Sequence, residues 1–546
     1  MKKYITDIEI NIIFILLSIY YEITFIFGNK PLAYYGSLNG DQLFHITRLS
    51  GLKNIFTSPI NFNTYHGVGN GVNLFYPWLT FYPAEIFSKV LHSEFKGMIV
   101  FLLLVSYLTF VLSYYPAKRY LKWDTKRSMI FSLLWTYSTY RGLNFISRTD
   151  IGELLATIYI PVLIMSFIDL IKRRNYDNWI VITISMSLIL FSHVLSTLLV
   201  TLVLILLLIV NYTNAKDIKV WWSLLKAVVS TSLLTIGFWM PMLQQMKYIP
   251  TTRPFVAILE DWAININDMI GDSINSNYPS PNVGIVVIFI VFISLIKFRK
   301  LSIDEKKILM ITLALLWGCT KAFPWQLFQS TFVNYIQFPW RLMMFASFFA
   351  YLLGAILLDE IDIKYVVSLF GVILISHYAF VIGLPKDKVT LLNNDKNIEK
   401  ISKEYINADY YPKAATKDPV SIENKKFVIS NKEAKVLNYK NTDTEFKFTV
   451  VNKSNKRVIV DVPILYYLGT EVKNNNKLIP VTISSRGTVQ VELSNKNNNV
   501  VISSRYTKLA RISQAISLCT ALIIVSIFLQ KSGKVMVVKT KFFKIK

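Results

Sequence analysis

The chain has 546 residues, of which 53% are hydrophobic, 14% aromatic and only 17% charged. So little charge excludes a string of ordinary soluble domains, whose surfaces carry more charged side chains. The net charge of +25 does not indicate nucleic-acid binding, because the basic residues follow the distribution expected around membrane spans. The two cysteines, Cys319 and Cys519, both lie in apolar runs, which excludes a disulfide framework or a zinc site.

Charged residues are confined to short stretches between apolar runs of about 17–25 residues, the length that crosses a bilayer. The first run follows Met-Lys-Lys and lacks a small-x-small cleavage site, so it predicts an uncleaved first span. The predicted spans are 8–28, 98–115, 128–146, 151–171, 178–192, 194–212, 220–243, 282–297, 306–323, 338–358, 364–383 and 510–530.

The basic residues predict the orientation of these spans. Connectors 118–127 and 297–307 each hold five Lys or Arg residues, whereas 147–150 and 324–337 hold only Arg148. By the positive-inside rule, the first two connectors and both chain ends are cytoplasmic. The sequence therefore predicts a multi-pass membrane protein with both chain ends in the cytoplasm.

The predicted orientation also decides how two further apolar segments are interpreted. Segment 178–212 has basic clusters on both flanks, so it must cross twice, with His193 at the outer apex. Segment 75–91 contains two prolines and Glu85, which predicts a helix in the outer interface rather than a span.

Segment 384–508 differs in character from the rest, since Lys, Asn, Ser and Thr dominate. Short alternating runs are typical of strands and predict a small β-sandwich outside the cell. These runs are Glu445–Val451, Val458–Ile464, Val481–Ser484, Val489–Leu493 and Val500–Ser504, with turns predicted at 474–476 and 497–499. The predicted domains are a membrane domain (1–383, with outer loop 29–97), the outer domain (384–508), and a last span with a basic tail (509–546).

Asp41, His45 and Arg48 follow the first span, four and then three residues apart. In a helix, this spacing places all three side chains on one face. A carboxylate, an imidazole and a guanidinium together suit proton abstraction beside an anionic phosphate. The alternative is that Asp41 only stabilises a helix N-terminus, where negative charge is favoured.

A second polar group contains Arg148, Asp150 and Glu153, all predicted to face the outer side. Asp150 followed three residues later by Glu153 also matches a capping box. Capping would account for the two carboxylates but would leave Arg148 unexplained.

Three more ionisable residues are predicted near the outer surface: His193, Glu22 in the first span, and Arg341 in Phe338-Pro339-Trp340-Arg341. Ionisable groups at membrane depth are costly, which favours a function. The alternatives are a structural histidine and an interfacial Trp–Arg anchor. The orientation places eight candidates on one side: Asp41, His45, Arg48, Arg148, Asp150, Glu153, His193 and Arg341.

Five segments together are typical of one membrane-protein family. They are Gly-Asp-x-x-x-His-x-x-Arg at 40–48, Asn73-Leu74-Phe75-Tyr76-Pro77, Arg148–Glu153, Ser192-His193 and Gln337-Phe338-Pro339-Trp340-Arg341. In these segments the chain resembles the bacterial membrane family described as "6-pyruvoyl-tetrahydropterin synthase-related", which implies a location in the bacterial plasma membrane. The resemblance covers most of 1–383, and an outer β domain before a last span also fits. That family is similar to the YfhO-like proteins and, more distantly, to the C-type (GT-C) glycosyltransferases.

The resemblance implies an α-helical polytopic membrane enzyme with about twelve spans and an extracytoplasmic β-sandwich. It implies transfer of a sugar from a polyprenyl-phosphate donor in the bilayer to an envelope glycopolymer or glycolipid. No nucleic-acid partner is expected. The first-loop acid of C-type enzymes acts as base or metal ligand, a role that maps onto Asp41. Many such enzymes carry paired acids there and this motif has one, so a divalent metal is left open.

Under this interpretation each candidate residue has an expected role. Asp41, His45, Glu153 and His193 are expected to be catalytic, and Arg48, Arg148, Asp150, Arg341 and Glu22 to bind substrate.

Two other functions remain compatible with the sequence. A lipid or polysaccharide transporter or flippase would place ionisable groups along a path through the membrane. A non-enzymatic scaffold for envelope assembly would use the outer domain as its binding module and would need no aligned Asp, His and Arg.

Overall fold

A computed structural model of the protein describes residues 6–27, 34–35, 41–146, 148–252, 256–275, 280–382, 391–392, 394–454 and 456–543. The helices are α1 (Asp7–Phe27), α2 (Gln42–Ser50), α3 (Val72–Phe75), α4 (Tyr82–Leu91), α5 (Glu94–Pro116), α6 (Thr125–Thr136), α7 (Thr139–Ile146), α8 (Ile151–Arg173), α9 (Trp179–Ser192), α10 (Val194–Val210), α11 (Tyr212–Ala215), α12 (Ile218–Tyr248), α13 (Ile266–Asn275), α14 (Gly284–Ile296), α15 (Ile303–Gly318), α16 (Met343–Asp359), α17 (Ile363–Ile382), α18 (Asp395–Glu404), α19 (Pro419–Glu423) and α20 (Lys508–Phe543). The strands are β1 (Tyr34–Tyr35), β2 (Leu391–Leu392), β3 (Val428–Ile429), β4 (Ala434–Asn441), β5 (Glu445–Asn452), β6 (Val458–Leu465), β7 (Thr470–Asn474), β8 (Lys477–Ile479), β9 (Val481–Ile483), β10 (Thr488–Leu493) and β11 (Asn497–Ser504).

Helices occupy all twelve segments predicted as spans. Within the described residues, five helical stretches are long and apolar enough to cross a membrane: Glu94–Leu121, Ile151–Arg173, Ile218–Tyr248, Pro339–Asp359 and Lys508–Lys531. Four more apolar helices are shorter, so the number of twelve crossings stays a prediction. Several apolar helices nevertheless identify a membrane protein.

The long helices divide into central and peripheral ones. α8 and α16 are mostly buried, whereas α12 and α20 pair at the periphery and leave most of their apolar surface exposed. Gly237 allows this pair to approach closely, because a Cβ there would lie 3.0 Å from the Cα of Gln514. The exposed side chains include Trp222 and Leu522, as expected of a surface that faces lipid.

The prediction of one continuous span over 128–146 is wrong, because α6 ends at Thr136 and α7 begins at Thr139. Arg141 is fully buried and donates from Nη1 to the carbonyl of Thr136 (3.2 Å) and from Nη2 to the hydroxyl of Ser106 (3.1 Å). The guanidinium thus satisfies a carbonyl at the end of α6 that a continuous helix would have bonded itself.

The segment predicted as an interfacial helix, 75–91, begins at the last residue of α3 and continues through an irregular stretch into the ten-residue α4. α4 packs against α5, and Gly97 of α5 lies against the backbone of Ser88. Its other face exposes Ile86 and Val90. A short amphipathic helix of this kind suits the membrane surface better than a crossing.

Residues 428–504 form two antiparallel sheets, which agrees with the predicted outer β domain. The strand orders are β3-β6-β10-β9 and β4-β5-β11-β7-β8, and β1 pairs separately with β2. Inward side chains of both sheets, such as Val460 and Phe448, meet in one core, which is the arrangement of a sandwich.

One of the two predicted asparagine turns is confirmed. Asn475 and Asn476 have φ values of +48° and +65° and join β7 to β8, as a tight hairpin turn requires. The turn predicted at 497–499 is wrong, since these residues begin β11. Asn498 tolerates full burial because its side chain accepts from Nδ2 of Asn474 (2.8 Å) and donates to the carbonyl of Asn495 (2.7 Å).

The first outer loop contributes to the core of the β domain. Phe62, Val68, Leu74 and Phe75 pack among the strand residues of that core, together with Ile249 at the end of α12. Main-chain bonds reinforce the packing, since the carbonyl of Val68 accepts from the N–H of Leu465 (2.9 Å). The outer loop and the outer domain are therefore one packed unit.

Candidate functional site

Asp41 lies immediately before α2 and links the first outer loop to the loop at 148–150. Its N–H donates to the carbonyl of Arg148 (3.1 Å), and its Oδ2 lies 4.0 Å from Nη2 of Arg148. The carboxylate caps no N–H group of α2, and half of the side chain is exposed. Asp41 is thus a solvent-accessible acid that lies next to the buried guanidinium of Arg148.

His45 and Arg48 lie on the buried face of α2, as the spacing predicts. All three guanidinium nitrogens of Arg48 have protein partners: Nε donates to Oδ1 of Asn73 (3.4 Å), Nη2 to the carbonyl of Pro77 (2.7 Å), and Nη1 to Nδ1 of His45 (3.2 Å). The guanidinium also lies 4.0 Å from the ring centre of Tyr76. Arg48 therefore holds His45 in place.

The contact with Arg48 determines which nitrogen of His45 carries the proton. A guanidinium can only donate, so Nδ1 accepts and Nε2 bears the hydrogen in the neutral ring. Nε2 lies 3.8 Å from Oδ1 of Asp150. Burial lowers the pKa of His45 to about 4 in spite of Asp150, so the ring is neutral near pH 7.

Arg148 is the link between the carboxylates of the site. Its Nη2 donates to Oδ2 of Asp150 (3.0 Å), and its Nη1 donates to Oε2 of Glu153 (3.1 Å) and Oδ1 of Asn144 (2.7 Å). Thr149 has φ +50°, a left-handed conformation that turns the chain between the paired residues. The guanidinium lies 4.7 Å from the ring centre of Trp340.

The capping box is confirmed for Asp150 only, because the side-chain oxygens of Glu153 bind Tyr140, Asn144, Arg148 and Arg341 instead of the N–H of Asp150. Oδ1 of Asp150 accepts from the N–H of Glu153 (3.0 Å), so Asp150 is the N-cap of α8. Its other oxygen binds Arg148, and the carboxylate therefore serves both purposes.

Glu153 is the most completely bonded charge in the site, with 0% of its side chain exposed. Oε1 accepts from the hydroxyl of Tyr140 and from Nδ2 of Asn144 (3.1 Å). Oε2 accepts from Nη1 of Arg148 (3.1 Å) and Nε of Arg341 (3.2 Å). One carboxylate thus holds two buried guanidinium groups.

Arg341 lies in the turn before α16 and is buried. Besides Glu153, its partners are the carbonyl of Ile336 (3.2 Å) and Oε1 of Gln337 (3.0 Å), both bound by Nη1. Within the described part of the chain, Nη2 of Arg341 donates to no protein atom. Gln337 has φ +62° and ψ −56°, a strained conformation that the surrounding contacts must hold in place.

His193 lies between α9 and α10, as predicted for an apex. Its Nδ1 accepts from the N–H of Ser196 (3.3 Å), so the residue caps α10. The ring lies 6.0 Å from that of Tyr76, on which Arg48 also packs. His193 therefore both caps a helix and lies beside the other candidate residues.

The structure does not bring Glu22 to this site. Glu22 is buried in α1, and its charged neighbour is Arg141. The remaining eight candidates form one cluster, which we call the Arg148 cluster: Asp41, His45, Arg48, Arg148, Asp150, Glu153, His193 and Arg341.

Tyr140 and Asn144 are partners of Glu153 that the sequence analysis missed. They stand eight and four residues before Arg148. Residues four apart lie on one face of a helix, so this spacing could have predicted that both side chains lie near Arg148. The predicted continuous span concealed this signal, because it assigned both residues to a membrane helix.

Three carboxylates and three guanidinium groups balance the charge of the cluster. Among the described residues, no three His, Cys, Asp or Glu side chains are grouped so that they could hold a metal ion. The carboxylates of Asp150 and Glu153 already bind Arg148 and Arg341. The donor set of the described residues therefore does not fit a metal.

Asp41 differs from the other carboxylates in its ionisation. Protein atoms surround the carboxyl on the sides away from solvent, and this burial raises the pKa of Asp41 to about 6. The charge of Asp150 adds to the rise, and Arg148 and Arg341 oppose it. An acid that ionises near pH 6 is suited to accept a proton at neutral pH.

Gly152 in the first turn of α8 allows Tyr76 to reach the cluster. A Cβ at Gly152 would lie 2.2 Å from the Tyr76 hydroxyl. In an open helix Ala is about 0.5–1 kcal/mol more stable than Gly, but here the clash reverses the sign. We expect Gly152→Ala to lower the unfolding free energy by about 1–3 kcal/mol, measured by thermal unfolding of the purified protein in detergent.

Gly271→Ala in α13 is the matched control, because no atom lies within 4 Å of the added Cβ. It should leave the unfolding midpoint unchanged or raise it. A midpoint for Gly152→Ala equal to that of Gly271→Ala would show that Tyr76 moves aside freely.

No family model matches the sequence, and no curated protein matches it. Among solved structures, the chain is similar to the mycobacterial arabinofuranosyltransferase AftD, with TM-score 0.44, 10% identity, and coverage of 70% of this chain and 27% of that chain. It is similar to the apo oligosaccharyltransferase of Archaeoglobus fulgidus, with TM-score 0.39, 11% identity, and coverage of 77% and 58%. It is also similar to AglB of that organism in complex with an inhibitory peptide and a dolichol-phosphate, with TM-score 0.35, 9% identity, and coverage of 76% and 57%.

The chain spans less than two thirds of the length of each of these proteins. All three are glycosyltransferases by name, and the likeness to them is distant. The activity of this chain must therefore be argued from its own residues.

Proposed function

We propose that the protein is a membrane glycosyltransferase that moves a sugar from a polyprenyl-phosphate donor to an envelope glycopolymer or glycolipid on the outer face. The observation that carries the proposal is the position of Asp41. Its half-exposed carboxylate lies 4.0 Å from the guanidinium of Arg148, which is bonded to buried acids. A base for the acceptor and cations for the leaving phosphate thus lie side by side.

The proposed step is a direct displacement at the anomeric carbon. The acceptor oxygen forms a bond to that carbon, and its proton goes to Asp41. The bond from the anomeric carbon to the phosphate oxygen breaks, and the electron pair leaves with the polyprenyl phosphate. The negative charge that develops on this phosphate requires fixed positive groups nearby.

Arg341 is the proposed phosphate ligand. Arg148, whose Nη1 and Nη2 already donate to Asn144, Glu153 and Asp150, contributes positive charge beside it. Glu153 binds Nε of Arg341 and Nη1 of Arg148, which fixes the orientation of both groups. Nη2 of Arg341 remains available, since its protein contacts among the described residues involve only Nε and Nη1. The N–H groups of this nitrogen can donate to phosphate oxygens, so Arg341 offers a fixed positive group to the donor phosphate.

The other members of the cluster position these groups. Arg48 is proposed as a positioning residue rather than a phosphate ligand, because its nitrogens already bind Asn73, Pro77 and His45. His45 packs beside Asp150, with Nε2 3.8 Å from Oδ1, a separation too long for a hydrogen bond. His193 is proposed to contact the sugar or the acceptor, because the described contacts of its ring nitrogens involve only Nδ1.

A lipid or polysaccharide transporter or flippase is the second candidate, and one observation favours it. Glu22 and Arg141 lie buried in α1 and α7, away from the Arg148 cluster, and one oxygen of Glu22 has no hydrogen-bond partner among the described residues. Buried ionisable groups of this kind occur along translocation paths. Turnover of a donor by the purified protein would decide between the two functions.

The test uses the purified full-length protein in lipid nanodiscs with a radiolabelled sugar on polyprenyl phosphate. We expect release of polyprenyl phosphate and transfer of label to envelope glycopolymer or glycolipid extract. The same sugar on a nucleotide should not react, because the proposed donor enters through its lipid. Turnover of the nucleotide sugar alone, or no turnover of either donor, would contradict the proposal.

A further inference from the structure

A second feature of the outer surface lies beyond the Arg148 cluster. A cleft of about 360 Å³ opens between the end of α2, the α4–α5 turn, α18 and the loop before β5. Its volume lies within the usual range of small-molecule sites. It differs from an apolar lipid groove, because charged and hydroxyl side chains line most of it.

Glu85 points to a ligand in this cleft. The residue is 1% exposed, and its Oε2 has no hydrogen-bond partner within the described chain. Its Oε1 lies 3.3 Å from Nζ of Lys89, so one oxygen is bonded and the other is not. A buried acceptor without a partner is costly, and a ligand donor would remove that cost.

The cleft wall mixes donors and acceptors. Nζ of Lys53 lies 2.8 Å from Oε1 of Glu94, whose Oε2 accepts from the hydroxyl of Ser50 (2.5 Å). Five carboxylates and three lysines line the cleft, which makes its balance negative. They are Glu85, Glu94, Asp395, Glu399, Asp443, Lys53, Lys89 and Lys403.

This pattern selects among ligand classes. An anionic phosphate would face an excess of carboxylates, and an apolar peptide would find no Val, Leu, Ile, Met or aromatic hydrocarbon side chain among the lining residues. A sugar hydroxyl both donates and accepts, so a saccharide without negative charge can satisfy such a wall.

We infer that the cleft is a subsite for the acceptor saccharide, which it holds by its hydroxyl groups. The inference rests on the proposed function, which supplies the acceptor. α2 joins the two places, with Asp41 before its first residue and Ser50 at its end. Nine helical residues span about 13 Å, so an acceptor chain of several sugars can occupy the cleft while its end reaches Asp41.

The test measures saccharide binding to the purified full-length protein in nanodiscs. The probes are fluorescently labelled maltotriose, mannotriose and triacetylchitotriose, which are neutral, and trigalacturonate, which is anionic. We expect at least one neutral probe to bind and trigalacturonate not to bind. Glu85→Gln and Asp443→Asn should each weaken the binding about tenfold, because each removes a charged hydrogen-bond acceptor.

Asp443→Asn serves as the second variant if Glu85→Gln folds poorly. Asp443 lies in a surface loop, and its carboxylate accepts a long bond from Nδ2 of Asn63 (3.4 Å). Glu433→Gln, an exposed carboxylate elsewhere in the β domain, is the control and should bind normally. Unchanged affinity in Asp443→Asn, preference for trigalacturonate, or no binding of any neutral probe would overturn the inference.

Donor turnover separates this inference from the proposed function. If saccharide binding depends on Asp443 but no donor is turned over, the saccharide subsite is supported and the proposed transferase function is contradicted. Donor turnover with an acceptor KM that is unchanged in Asp443→Asn would retain the transferase and reject the cleft.

Discussion

Asp41→Asn should lower sugar transfer by about two to four orders of magnitude, the usual effect of removing a general base. Asparagine keeps the size of the side chain and cannot accept the proton. The fold should be unaffected, because the Asp41 carboxylate caps no N–H group of α2 and is half exposed. The measurement compares transfer by wild-type protein, Asp41→Asn and Glu433→Gln at equal protein levels in nanodiscs.

The pH dependence gives an independent control for this assignment. The pKa of Asp41 is raised to about 6, and only the ionised form can accept a proton. Transfer by the wild type should therefore be complete above about pH 7 and fall as the pH drops through 6. Transfer near the wild-type rate in Asp41→Asn, with the acid limb unchanged, would show that another group is the base.

Glu153→Gln should have the largest effect on stability. Removal of one partner from a buried, bonded ion pair costs about 3–5 kcal/mol, because the remaining charge stays buried without compensation. Here the carboxylate is 0% exposed and binds both Arg148 and Arg341. We expect a matching decrease in the unfolding free energy, measured by tryptophan fluorescence during denaturation in detergent.

A double variant tests whether charge is the cause. In Glu153→Gln/Arg341→Gln the cluster regains its balance, so the loss should be smaller than the sum of the two single losses. Glu433→Gln, an exposed carboxylate before β4, is the control and should be neutral. Additive losses in the double variant would mean that packing rather than charge dominates at Glu153.

The apolar helices were predictable because a run of bilayer length leaves few other structures. The break between α6 and α7 was not, since it depends on the contact of Arg141 with Ser106 in a different helix. Strand β5 was readable from its alternation, whereas β4 and β7 carry polar residues on exposed faces and pair only through their neighbours.

The sequence predicted which residues form the candidate site better than it predicted the contacts between them. Short connectors on one side of a membrane must lie near each other, which brought Asp41 and Asp150 into one prediction. Their common contact with Arg148 was hidden, because it depends on the turn at Thr149 and the position of α2. The single acid of the Asp41 motif thus has a second acid beside it that comes from a distant segment.

The shared core of the outer loop and β domain has a consequence for synthesis. Phe75 stacks on Tyr410 with ring centres 5.2 Å apart, and the next residue, Tyr76, supports Arg48. Chains fold from the N-terminus as they are made, so α2 and the Arg148 cluster reach the membrane before residues 428–504 exist. The loop that carries Asn73 and Tyr76 can be completed only after the last strands have been made. Under the proposed function, a nascent chain would therefore remain inactive until synthesis is almost finished.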